Sequence, residues 1–90
     1  MNQYSLTVLI KNDVPEKNRG ELLESLKKHF DNLVKEDLWG TKNLSYPIQH
    51  MDKAFYAHFE FEADPAKISP LDKQIKLNED IIRYLILRTN

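Results

Sequence analysis

The sequence predicts an α+β domain of element order β-α-β-β-α-β, a four-stranded antiparallel sheet with two helices on one face. Three observations carry this. The stretches "YSLTVLIK" and "AFYAHFEFE" alternate apolar and polar residues with the period of two that a half-buried strand requires. Two other stretches space their apolar residues as one face of a helix: Leu22, Leu23, Leu26 and Phe30, then Ile68, Leu71 and Ile75. Strand, helix, strand therefore occurs twice within 90 residues, which bounds the chain to one domain over residues 1–90.

The first strand is expected over Gln3–Lys11, with Tyr4, Leu6, Val8 and Ile10 on one side and Ser5, Thr7 and Leu9 on the other. "NDVP" supplies turn residues and a proline suited to a first helical turn, and the helix runs from Glu16 to His29 or Phe30. "DN" at 31 and 32 closes it, since asparagine tolerates the left-handed C-cap. The second strand is expected from Leu33 to Ile48. Gly40 inside it marks a bulge or bend, and Pro47, which cannot donate to a ladder, places it at a sheet edge. "QHMDK" reads as a polar connection to the third strand, where Phe55, Ala57, Phe59 and Phe61 face one way and Tyr56, His58 and Glu60 the other. "SPLD" reads as a helix start with Ser69 as cap, Pro70 at the first position and Asp72 in the capping-box place; whether a turn precedes Pro70 stays open. "IIRYLILR" is the last strand, with Ile82, Tyr84 and Ile86 on the core side. Two split βαβ units of this size interleave as the ferredoxin-like arrangement, and one face of its sheet is left uncovered.

That uncovered face is expected to carry Ser5, Thr7, Leu9, Tyr56, His58, Glu60, Arg83, Leu85 and Leu87. A face meant only for water would be more polar, so a contact surface is implied. Thirteen Lys and Arg against fourteen Asp and Glu give a net charge of −1, so nucleic-acid affinity has to come from a local patch and its salt dependence is expected to be shallow. The absence of cysteine excludes disulfides and thiolate metal sites and fits a reducing compartment. His29, His50 and His58 have no metal-ligand spacing, and two glycines twenty residues apart make no phosphate cradle, so no cofactor and no small-molecule substrate is expected. A Glu60–Asp37 acid/base pair is outweighed by the ordinary reading of alternating surface charge, and the chain is not expected to be an enzyme. No apolar run reaches the roughly 20 residues of a membrane span, so no membrane partner is expected.

Four stretches, "YSLTVLIK", "WGTKNLSYPI", "AFYAHFEFE" and "LDKQIKLNEDIIRYLILR", resemble in order and separation the bacterial small-subunit ribosomal protein six family, over essentially the whole chain. The residues that match its pattern are Tyr4, Trp39, Gly40, Leu44, Tyr46, Pro47, Ile48, Asn78, Glu79 and Arg83. The resemblance implies a ferredoxin-like fold and a structural role in the small ribosomal subunit, in the cytoplasm or an organelle of bacterial descent. It also implies binding to central-domain small-subunit ribosomal RNA as a pair with small-subunit ribosomal protein eighteen. On that basis Tyr4, Lys35, Lys42, Tyr56, Arg83 and Arg88 are assigned to RNA, and Trp39, Tyr46, His58, Leu85 and Leu87 to the companion protein. The alternatives are a stand-alone ferredoxin-like module that dimerises or binds a ligand through its open sheet face, and a small hydrolase.

Overall fold

The computed structural model describes residues 2–48 and 51–89, with side chains described for 2–44 and 52–89. The elements are β1 (Asn2–Lys11), α1 (Glu16–Lys27), β2 (Asn32–Ile48), β3 (Met51–Ala63), a 3-10 turn (Pro65–Lys67), α2 (Ile68–Leu77) and β4 (Ile81–Arg88). The strands form one antiparallel sheet in the order β2-β3-β1-β4. This is the ferredoxin-like arrangement the alternation implied, with β2 at an edge as Pro47 required.

The alternation of β1 and β3 decides what is inside. Leu6, Val8, Ile10, Phe59 and Phe61 pack with Leu22, Leu23 and Leu26 of α1 and Leu71 and Ile75 of α2 in one buried cluster. Phe30, just past α1, stacks on Phe61 at 3.8 Å between ring centroids, and Tyr4 stacks on the same ring at 5.7 Å. Burial of such rings is the dominant source of stability in a chain this short. Polar links then fix the helices. His29 and Gln74 share a hydrogen bond of 2.6 Å, and Gln74 donates to Ser25, tying α1 to α2. Tyr84 of β4 donates its hydroxyl to Asp72 of α2. That bond and the Lys76 ammonium hold the Asp72 carboxyl below the ordinary carboxylate range.

Several boundaries differ from those the sequence implies. Helix α1 stops at Lys27; two i→i−3 bonds, His29 to Leu26 and Phe30 to Lys27, wind down the end, so Asp31 and Asn32 do not cap it. Asp31 instead meets the Lys67 ammonium and accepts from the Asp64 backbone, which together hold its carboxyl below the usual range. A turn does precede Pro70. Asp64 caps the 3-10 turn by accepting from the Ala66 N–H at 2.9 Å, and α2 begins at Ile68, so Ser69 is not its cap. Likewise Pro15 sits at the N-cap of α1 rather than inside its first turn. The stretch from Met51 to Lys53 belongs to β3, and β1 pairs with β3 only from Ala54 onward. On the other side of Ala54 the β2–β3 pair continues as a two-stranded ribbon.

Strand β2 shifts register against β3 three times, the last time between Asn43 and Ile48. Val34 and Trp39 are each an extra residue against β3, at register shifts between Leu33 and Lys35 and between Leu38 and Gly40. Gly40 has φ 81°, a left-handed conformation that suits glycine and lets the chain resume pairing opposite Tyr56. A further shift, between β1 and β4, makes Ile10 face Ile81 rather than Ile82. Ile81 is therefore the buried residue, and the expected core place of Ile82 is corrected.

Candidate functional site: the open sheet face

Cross-strand register assembles the face away from the helices in three rows. Asp37, His58, Thr7 and Leu85 form one; Gly40, Tyr56, Leu9 and Arg83 another; Lys35, Glu60, Ser5 and Leu87 the third. Across the strands, each row carries charged or aromatic side chains over β2 and β3, Gly40 excepted, and ends in leucine or arginine on β4. Neighbouring strands lie about 4.8 Å apart, so the two outer strands are separated by roughly 14 Å. Two halves of different chemistry therefore share one surface.

The β2–β3 half is centred on Trp39. Its ring lies parallel to that of His58, with 5.3 Å between centroids and 4° between planes, and Trp39 keeps 45% of its surface exposed. His58 is held in turn: Thr7 Oγ1 and His58 Nδ1 share a hydrogen bond of 2.8 Å, and Glu60 lies 3.7 Å from Nε2. The Lys42 ammonium sits 5.3 Å from the Trp39 ring and 6.0 Å from that of Tyr56, within range of the attraction between a cation and an aromatic face. Lys35 pairs with Asp37 at 3.5 Å. Gly40 thus has a definite task here: the shift it permits allows the extra residue, Trp39, to reach the ring of the next strand.

The β4 half is apolar apart from Arg83. Leu85 and Leu87 are 55% and 50% exposed. Thr7, Leu9, Arg83, Tyr84 and Leu85 line a depression of about 360 Å³ between β1 and β4. Large exposed leucines beside a concave apolar surface are what a protein partner can bury.

The register brings Lys35, Lys42, Tyr56, Trp39, His58, Arg83, Leu85 and Leu87 to this face. Two sequence-expected RNA residues are elsewhere. Tyr4 is buried against Phe61, with only 7% exposure, so its ring belongs to the core and is not offered to RNA. Arg88 is exposed but pairs with Tyr4, on the opposite side of the sheet from Arg83. The side chain of Tyr46 lies outside the described residues, as do those of Pro47, Ile48 and His50. Asn78 builds the turn into β4, accepting from the Asp80 N–H at 2.8 Å.

Sequence patterning does not single out Leu33, Val34 and Leu38, all of them exposed on the edge strand β2. Val34 stands at a register shift, while Leu33 and Leu38 pair with Phe61 and Ala57 on the helix side. A period of two broken by two extra residues carries no signal for them. Among the described residues no helix is long and apolar enough to cross a membrane.

The family model described as Ribosomal protein S6 matches residues 3–88. Similar curated proteins include small ribosomal subunit protein bS6 of Desulforamulus reducens, 33% identical over 92 residues, covering 98% of this chain and 97% of that one. The bS6 protein of Nocardia farcinica is 32% identical over 92 residues, with coverage of 98% and 97%. Among solved structures, 30S ribosomal protein S6 from Thermotoga maritima superposes with a TM-score of 0.91 at 24% identity, covering 98% of this chain and 87% of that one, a likeness of fold. An uncharacterised protein of the same organism shares the fold more loosely, with a TM-score of 0.63 at 16% identity, covering 99% of this chain and 98% of that one. With a match running from the first strand to the last, and relatives aligned over nearly their full length, the chain belongs to the ribosomal protein S6 family.

Proposed function

We propose that this chain is a structural protein of the small ribosomal subunit, acting on the ribosome by binding central-domain ribosomal RNA together with small-subunit ribosomal protein eighteen. The family match over residues 3–88 carries the reading. The two-sided chemistry of the open face supports the finer part. The β4 half, with Leu85, Leu87 and the depression beside them, suits the companion protein. The β2–β3 half, with Lys35, Lys42 and Tyr56, suits RNA. A net charge of −1 means that this chain alone neutralises few phosphates, so RNA affinity is shared with the companion.

The test is a salt series of binding to a central-domain fragment of small-subunit ribosomal RNA, by this protein alone and with the companion. The expected result is tight binding only when both proteins are present, with a shallow salt slope for this chain by itself. If the mixture does not bind, and the chain instead forms a concentration-dependent dimer, the open face is a self-association surface and the ribosomal reading fails.

A further inference from the structure

A finer placement rests on the RNA-binding reading above and concerns where RNA touches this chain. We propose that Trp39 is a stacking platform for one unpaired nucleobase, with Lys42 holding the adjoining phosphate. The family resemblance assigns Trp39 to the companion protein; its surroundings in the fold move it to the RNA.

Trp39 is the extra residue at the Leu38/Gly40 register shift, so its ring is turned out of the regular ladder. One side of the ring is stacked on His58 at 5.3 Å and 4°, and His58 is itself fixed by Thr7. The ring is thus held in place from behind while nearly half of the residue remains exposed. A platform ordered before the ligand arrives loses little side-chain freedom on binding.

Lys42 is the second, independent observation. The other charges of this half have neighbours of their own, Lys35 beside Asp37 at 3.5 Å and Glu60 beside His58 at 3.7 Å. Among the described residues Lys42 has no carboxylate within ion-pair distance, and its ammonium rests over the Trp39 and Tyr56 rings. An uncompensated cation beside an aromatic face attracts an anion, and a nucleotide offers both a base for the ring and a phosphate for the cation. Aromatic ring plus cation is the pair that takes up a base and its backbone in single-stranded nucleic acid. In an A-form duplex the base faces are already stacked, so the nucleotide has to come from a junction, bulge or loop. Stacking is indifferent to which base is present, so the position is chosen by RNA shape.

Trp39 is the chain's single tryptophan, so its fluorescence reports this place alone. A mixed-sequence single-stranded RNA hexamer is expected to quench that emission, and a blunt duplex of the same sequence to leave it unchanged. In the complex with companion protein and central-domain fragment, Trp39→Ala is expected to weaken RNA binding about tenfold, with most of the loss restored by Trp39→Phe. Lys42→Gln is expected to flatten the dependence of log K on log salt by about 0.7. If the wild-type complex forms but Trp39→Ala binds as tightly, and the hexamer leaves the emission unchanged, the platform is overturned while the ribosomal reading stands. If the wild-type complex does not form at all, both fall together.

Discussion

Phe59 and His58 are adjacent in β3, yet they live in different solvents. Phe59 is fully buried between sheet and helices, with 5.8 Å between its ring and that of Phe30. His58, one residue back, lies on the open face against Trp39 and Thr7. The helix side of the sheet is one continuous cluster, whose residues need only be apolar and of the right size. The open side is a set of separate contacts, each tied to a particular partner atom. What holds the molecule together and what it presents to others are thus divided by the pleat of a single strand.

The sharpest test of this division is Phe59→Ala, which is expected to cost about 3–5 kcal/mol of stability by leaving a cavity under α1. Equilibrium denaturation measures it, and a loss below about 1 kcal/mol would mean that the helix side is not what holds the domain folded. Gly40→Ala comes next. A Cβ there meets nothing within 4 Å, so the cost is the left-handed backbone alone, about 1 kcal/mol. If Gly40 sets the place of the indole, the emission of Trp39 shifts as well.

Smaller still is the effect of Asp72→Asn, which loosens the tie between α2 and β4. The Tyr84 hydroxyl and the Lys76 ammonium lower the Asp72 pKa from its ordinary 3.8. A lowered carboxylate pKa gives stability that is present above 3.8 and lost as pH falls through the lower folded value. The variant should therefore be weaker than the wild type at neutral pH and equal to it in strong acid. A deficit that persists unchanged in acid would show that the carboxylate charge is not what matters. At the bottom of the scale, Leu87→Gln should change stability by less than about 0.5 kcal/mol. Its effect is expected in companion binding, read by titration, so unchanged binding would remove the β4 half from the interface.

How much of this is legible in the sequence depends on whether pattern and register agree. In β1 and β3 the alternation is unbroken, so the residue pattern alone places Leu6, Val8, Phe59 and Phe61 inside. In β4 one extra residue exchanges Ile81 for Ile82. The boundaries near Asp31 and Asp64 do not follow from local signals, because each aspartate is occupied elsewhere, by Lys67 and by the 3-10 turn, rather than by the nearest α-helix. The stack of Trp39 on His58 is beyond the reach of pattern. It joins residues far apart in sequence, and it depends on a register shift that Gly40 announces without giving its direction. Tyr4 shows the opposite error: an aromatic matching a family pattern reads as a contact, although its alternation with Leu6 and Val8 already puts it in the core.

The first two register shifts of β2, at Val34 and Trp39, have a consequence for how length itself carries information. Between Lys35 and Leu38 the strand runs out of step with the residues on either side: odd positions face the helices at Leu33, even ones at Glu36 and Leu38, odd again at Thr41. The shifts work like a pair of frame changes in a message, the second restoring what the first disturbed. Deleting Val34 or Trp39 would only remove a bulge and leave each flanking residue on its own face, whereas deleting a residue of the regular stretch between them, such as Asp37, would push its neighbours to the other face until a bulge took up the difference. A gap of a single residue is therefore expected to leave the pairing intact at the two bulges and to disturb more than a substitution where it falls between them.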